Sequence, residues 1–247
     1  MKLDALFTPA GLTLAEVQGR TVFVIDILRA TTSMCAALSN GARAILPVAS
    51  TGEALKLAQT LASDDVRLAG EQNCLRIEGF HLGNSPMEMT EPAVRGRTLI
   101  VSTTNGTRAL LACQGSAAVY PACAGNLSLA AERARETLEQ DGEVLVVCAG
   151  RGNAFSLDDA YTAGRLVAAV LGGSARRRGL NDAALAALDL VRRYGERWER
   201  PLRRSRAGRE LVRLGFAADV ADAARLDAYP VLPTFHDRRV TLAAVPV

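Results

Sequence analysis

Three times in this chain a short run of apolar, β-branched residues ends in a polar loop that leads straight into an alanine- or leucine-rich stretch. The first run covers residues 22–27. Arg29, Thr31, Thr32 and Ser33 follow it, and then the helical stretch 34–38. The second covers 98–101, with its loop at 102–107 and a helix over 108–112. The third covers 144–147, with a loop at 148–156 and a helix over 157–171. Apolar runs of this length, rich in valine and isoleucine, suit strands buried on both faces. Residues 44–48 read as another strand, and 51–61 and 126–138 as helices. Strands alternating with helices predict an α/β fold, layered α/β/α, with a mainly parallel or mixed sheet.

The composition shifts after Leu171, where Gly172, Gly173 and Ser174 form a joint. Residues 1–171 are therefore expected to form the α/β core. Residues 172–247 are expected to form a helical C-terminal segment packed on it, or to continue the same domain. Asn181 or Asp182 is placed to cap a helix running to Tyr194, 205–214 reads as another helix, and 240–245 as a terminal strand. With 247 residues, 49% of them apolar, the chain can bury a substantial core.

Composition also narrows the function. Aromatic residues are 4% of the chain, too few for a base-stacking platform. The net charge of +3 comes mostly from arginines at 176–213, but Asp182, Asp189, Glu196, Glu199 and Glu210 are interspersed among them. That mixture predicts a solvated helical surface rather than a nucleic-acid footprint. The five cysteines contain no C-x-x-C pair, which argues against a zinc site or a disulfide framework. They suit a reducing compartment, so a cytoplasmic location is expected. Residues 1–11 do not read as a signal peptide, and no apolar run has the ~18 residues of a membrane helix. Association into a homo-oligomer is left open.

In α/β sheets ligands sit beyond the carboxyl ends of the strands. Asp26 falls at such an end, where a carboxylate is costly unless paired or metal-bound. Arg29 lies three residues on, with Thr31 and Thr32. The group reads either as an anion and metal site or as an Asp26–Arg29 ion pair with threonine caps. In the second loop Thr103, Thr104, Asn105, Gly106 and Thr107 precede a helix. They form either an oxyanion cradle, with Gly106 free to adopt left-handed backbone geometry, or an ordinary helix cap. In the third, Gly150, Arg151 and Gly152 make a flexible cationic loop, Ser156 is placed to cap the helix, and Asp158 and Asp159 fall in its first turn. First-turn acids are common for dipole reasons. One of them with Asp26 would also satisfy Mg²⁺, which takes few carboxylates and keeps several waters. Glu71 is a further strand-end carboxylate, and Gly79 to Glu88 is an irregular polar loop. His81 and His236 are the only histidines, so a multi-histidine metal site is excluded. Carboxylates and oxyanion cradles at strand ends suit metal-assisted chemistry on a phosphate better than acyl transfer.

Four of these segments, in order, resemble the motifs of the 2-phosphosulfolactate phosphatases. They are Asp26-Ile27-Leu28-Arg29-Ala30-Thr31-Thr32, Gly79-Phe80-His81-Leu82-Gly83-Asn84-Ser85-Pro86, Thr103-Thr104-Asn105-Gly106-Thr107, and Cys148-Ala149-Gly150 with Ser156-Leu157-Asp158-Asp159. The tail fits more loosely, through Ser205, Asp219, Asp227 and Pro233. The resemblance implies an α/β fold and Mg²⁺-dependent removal of phosphate from 2-phosphosulfolactate, a step toward coenzyme M, or from a related phosphorylated 2-hydroxy acid. On this reading Asp26 and Arg29 are catalytic, and Asp26, Glu71 and Asp159 hold Mg²⁺. Arg29, Thr31, Thr32 and residues Thr103 to Thr107 hold the phosphoryl group, and Asn84, Ser85 and Arg151 contact the rest of a small anionic phosphomonoester. The sequence departs from the family pattern at Gln72, where the resemblance implies an arginine after Gly70-Glu71. The alternative is a non-catalytic anion-binding or regulatory protein on the same fold.

Overall fold

A computed structural model of the chain describes residues 2–61, 63–140, 142–174 and 179–242. Its strands are β1 (Lys2–Leu6), β2 (Thr21–Ile25), β3 (Ala44–Val48), β4 (Val66–Gln72), β5 (Leu75–Arg76), β6 (Thr98–Ser102), β7 (Ala118–Ala122), β8 (Glu143–Cys148), β9 (Pro233–His236) and β10 (Arg239–Leu242). Its helices are α1 (Leu14–Val17), α2 (Ala30–Ser39), α3 (Thr51–Leu61), α4 (Glu91–Val94), α5 (Gly106–Ala112), α6 (Leu127–Glu139), α7 (Leu157–Leu171), α8 (Asp182–Tyr194), α9 (Glu199–Arg204), α10 (Arg206–Arg213) and α11 (Ala217–Ala223).

The strands form one mixed sheet in the order β1-β8-β2-β7-β9-β10-β3-β6-β4-β5. Two parallel blocks, β1-β8-β2-β7 and β3-β6-β4, are joined by the antiparallel hairpin β9–β10. Each join rests on a single register pair, Val119 with Phe235 and Val240 with Ile45. Three antiparallel steps in a flat sheet would point β3 opposite to β7. The carboxyl ends of β2 and β6 nonetheless meet, with Asp26 Oδ2 lying 2.6 Å from where a Cβ on Gly106 would stand. The sheet must therefore twist strongly across the hairpin.

The alternation along β2 and β8 explains the layers. Phe23, Ile25, Val144 and Val146 face a core closed by α6 and α7, while Val22, Val24, Leu145 and Val147 face one closed by α2 and α5. Both faces are covered, which is why these strands read as unbroken apolar runs. The layered α/β expectation holds.

Residues 179–242 contribute to both layers. Leu188, Leu202, Leu211 and Val220 join the first core, while Phe235 and Val240 from the hairpin join the second. Asn181 caps α8 by accepting the N–H of Ala184 at 3.0 Å, and Ser205 caps α10 by accepting that of Gly208 at 2.9 Å. In the arginine-rich stretch Arg192, Arg203 and Arg213 pair with Asp189, Glu199 and Glu210 one turn away on their own helices. Such pairs are solvated and contribute little to stability. Residues 175–178 of that stretch, and 243–245 of the expected terminal strand, lie outside the described residues. No helix among the described residues is long and apolar enough to cross a membrane.

Two boundaries move in ways that matter. Strand β2 stops at Ile25, which leaves Asp26 as the first residue beyond it. Helix α2 starts at Ala30, so Thr31, Thr32 and Ser33 are helical rather than part of a loop. Strands β1 and β7 have no counterpart in the sequence reading. Strand β7 is short and contains Pro121, which cannot donate to a ladder.

Candidate active site

Loops from both parallel blocks open on one cavity of about 420 Å³. Four carboxylates line it: Asp26 after β2, Glu71 in β4, and Asp158 and Asp159 in the first turn of α7. Asp26, Asp158 and Asp159 are each less than a tenth exposed. Burial, then the neighbouring Glu71, pushes the Asp26 carboxyl up to about 7. Burial, then the charges of Asp158 and Asp26, pushes Asp159 well above the usual carboxylate range. Crowded buried acids disfavour one another's ionised forms, so the acidic end of this cavity would be eased by a bound cation.

Each acid is held in place. The N–H groups of Ile27 and Gly150 donate to Asp159 Oδ1 and Oδ2, both at 3.0 Å, so Asp159 ties the β2 end to the β8 end. The N–H groups of Cys74 and Thr104 donate to Glu71 Oε2 and Oε1 at 2.8 and 2.7 Å. Ser156 occupies the cap position of α7, but its hydroxyl donates to Asp158 Oδ1 rather than accepting from the helix. Asp26 Oδ1 accepts a longer bond of 3.3 Å from Ala30 N–H.

Arg29 differs from the sequence reading. Its guanidinium donates to Asp219 Oδ2 at 2.7 Å and to the Cys74 carbonyl at 2.6 Å, and it lies over the Phe216 ring at 4.6 Å. The ion pair is therefore Arg29–Asp219, not Arg29–Asp26, and both side chains are 3% exposed. Asp219 also accepts the Ser85 hydroxyl at 2.7 Å. Arg29 reaches the cavity wall with two of its donors already engaged.

The other expected binding residues divide. Asn84, Thr104, Asn105 and Arg151 line the cavity with Arg29. Thr31, Thr32, Ser85, Thr103, Gly106 and Thr107 do not. The hydroxyls of Thr31 and Thr32 donate to the carbonyls of Asp26 and Ile27, so they brace the turn from behind. Thr103 Oγ1 accepts the N–H of Thr107 at 3.0 Å and caps α5. His81 accepts the Leu68 N–H outside the cavity. Burial pushes the Cys148 thiol well up, which leaves it a poor nucleophile.

Gly106 acts through space rather than through left-handed geometry. It is the first residue of α5, and its φ is not positive. A Cβ there would stand 2.4 Å from Ala30 Cβ and 2.6 Å from Asp26 Oδ2. Gly106→Ala is expected to cost about 1–3 kcal/mol of stability, and to lower activity at least about tenfold by displacing Asp26. Urea unfolding and a turnover assay on the folded variant check both; an unchanged rate would mean that α2 and α5 part without moving Asp26.

Comparison with known proteins identifies the family. The 2-phosphosulpholactate phosphatase family model matches residues 6–238. The chain belongs to this family. A Symbiobacterium thermophilum protein named "Probable 2-phosphosulfolactate phosphatase" is 40% identical over 227 residues, 92% of this chain and 96% of the relative. Proteins of the same name from Clostridium acetobutylicum and a Synechococcus strain are 33% and 36% identical over 95% of this chain, covering 97% and 96% of their own lengths. Gln72, where the resemblance implies an arginine, is the exposed last residue of β4 and falls outside the cavity. The lining residues that carried no assignment from sequence include Asn73, Cys74 and Arg206. Asp219 was visible only as part of the loosely fitting tail.

Proposed function

We propose that this chain is a Mg²⁺-dependent phosphomonoesterase that hydrolyses 2-phosphosulfolactate, or a closely related phosphorylated 2-hydroxy acid, to the hydroxy acid and inorganic phosphate. The supporting observation is the meeting of Asp26, Glu71, Asp158 and Asp159 on one cavity in a member of this family. Four carboxylates gathered at one end of the cavity would repel a phosphate dianion brought against them unless a cation stood between.

The residues fit Mg²⁺ in its usual mode. Among the described residues no three His, Cys, Asp or Glu side chains converge as a ligand cluster. Mg²⁺ needs no such cage, since one or two carboxylates with waters and substrate oxygens suffice. Asp26 with Asp159 are the donors proposed here. Each oxygen of Asp159 accepts one backbone N–H and keeps further acceptor capacity. The cation would screen these carboxylates from the phosphoryl oxygens and stabilise charge as the ester bond breaks.

The chain's own residues supply positioning. Glu71 holds the Thr104 N–H and so fixes the loop before α5 against β4. Asn105 accepts the Gly152 N–H at 3.1 Å and ties that loop to the one after β8. Asp219 holds Arg29 in place at the cavity wall. Asn84, 5% exposed, presents an amide to the same space.

Phosphate release from 2-phosphosulfolactate is the direct test. With Mg²⁺ turnover is expected, and excess EDTA should lower it at least about a hundredfold, with recovery on adding Mg²⁺ back. Full activity in EDTA rejects the metal assignment. Tight binding of the ester without release of phosphate would favour the non-catalytic alternative.

A further inference from the structure

We propose that Arg151 and Arg206 form a two-armed anion clamp on the rim of the acidic cavity, selecting phosphomonoesters that carry a carboxylate or sulfonate beyond the phosphoryl end. This inference rests on the phosphatase reading above and adds the residues that would choose the substrate.

Three arginines line the cavity: Arg29, Arg151 and Arg206. Arg29 is already committed to Asp219 and the Cys74 carbonyl. Among the described residues, neither Arg151 nor Arg206 has a carboxylate within ion-pair distance. Glu210, an acid that feels the charge of both arginines, is itself paired with Arg213 at 2.6 Å. Two unpaired guanidinium groups thus stand on the wall of a cavity whose floor is acidic.

Their backbones are held by local hydrogen bonds. Arg151 and Ala154 exchange both backbone hydrogen bonds, at 2.9 and 3.1 Å, and the Gly152 N–H is anchored on Asn105. Arg206 opens α10, whose cap Ser205 is buried and bonded to Gly208. One arginine comes from the loop after β8 and the other from the start of α10, and both line the cavity that holds the acids. Arginine binds planar or tetrahedral oxyanions through paired, charge-assisted hydrogen bonds. A phosphate ester of a neutral alcohol would leave both arms empty. An ester whose alcohol bears a carboxylate or sulfonate would fill them while its phosphoryl group stays at the carboxylate end. Gln72, exposed outside this space, takes no part.

The test compares 2-phosphosulfolactate, 2-phospholactate, which lacks the sulfonate, and p-nitrophenyl phosphate. The proteins are wild type, Arg151→Gln, Arg206→Gln, and Arg192→Gln as an exposed control outside the cavity. Sulfolactate binding is measured separately by calorimetry. Each cavity substitution should lower kcat/KM for 2-phosphosulfolactate about ten- to a hundredfold, mainly through KM, with a matching loss of sulfolactate affinity. The p-nitrophenyl phosphate rate and the control should hardly change. Equal losses on all three substrates, or none on 2-phosphosulfolactate, overturn the clamp and leave the phosphatase reading standing. Sulfolactate binding that weakens in both variants of a protein releasing no phosphate upholds the clamp and overturns the phosphatase reading. Absence of both binding and turnover in wild type overturns both.

Discussion

Asp26→Asn is expected to abolish turnover and, in the metal-free protein at pH 8, to raise stability. The first effect follows from the place of Asp26 at the meeting point of β2, α2 and α5, facing the proposed cation. Losing that carboxylate removes both a ligand and the charge that sets the cation's position, so a loss of several orders of magnitude is expected. The second follows from the cost of an acid buried beside other acids. Its carboxyl titrates near 7 in the folded protein against 3.8 ordinarily, because burial and then Glu71 disfavour the charged form. The folded state therefore holds a proton that the unfolded chain releases between those values, and stability falls as pH rises through that window. Above about 7 the full penalty is present, and below about 4 it is gone. A shift of this size corresponds to roughly 4 kcal/mol; burial of the asparagine amide offsets part of it. Urea unfolding in EDTA should show a gain of about 2 kcal/mol at pH 8 that vanishes near pH 4. A variant less stable than wild type at pH 8 would show that Asp26 already has a stabilising partner.

The second large effect belongs to Asp219. Its carboxylate is buried, paired with Arg29 at 2.7 Å, and bonded to Ser85 at 2.7 Å. Removing it leaves a buried guanidinium with the Cys74 carbonyl and the Phe216 ring as its remaining partners. Breaking such a pair typically costs about 3–5 kcal/mol, more than replacing both partners by apolar groups. Asp219→Ala should therefore be destabilised by about that amount, and Arg29→Met with Asp219→Ala should be less destabilised than the single change. Activity should fall in both, because Arg29 is then free to swing onto the cavity acids or is absent. Denaturant midpoints on the three proteins decide the matter; a single variant within about 1 kcal/mol of wild type would mean that the pair is not holding α11 to the site.

Asp219 also marks where reading the chain alone runs out. The elements that bury both faces of a strand were legible because their periodicity is local: 44–48, 51–61 and 157–171 lie where valine, isoleucine and leucine spacing put them. The carboxylates of the site were legible for a related reason, since a charge at the end of an apolar run conflicts with its surroundings and demands a partner. That argument found Asp26 and Glu71, while Asp158 and Asp159 were reached as acids in the first turn of the helix after the third strand. The motif resemblance added Asn84 and the family itself.

What local pattern did not carry was pairing. The spacing of Asp26 and Arg29 suggested an ion pair between them, but the turn into α2 points Arg29 away toward Asp219, far along the chain. The threonines of the first motif looked like ligands because hydroxyls next to an anion site resemble ligands. Once the helix begins at Ala30, their hydroxyls instead face the carbonyls of Asp26 and Ile27. Gly106 looked like a residue chosen for left-handed backbone, whereas its reason is the approach of α5 to α2 and Asp26. Strand order, the β9–β10 hairpin between two parallel blocks, and the arrival of Arg206 opposite Arg151 depend on contacts between distant residues. Side-chain periodicity reports which face of an element is buried, and it carries no information about which distant element buries it.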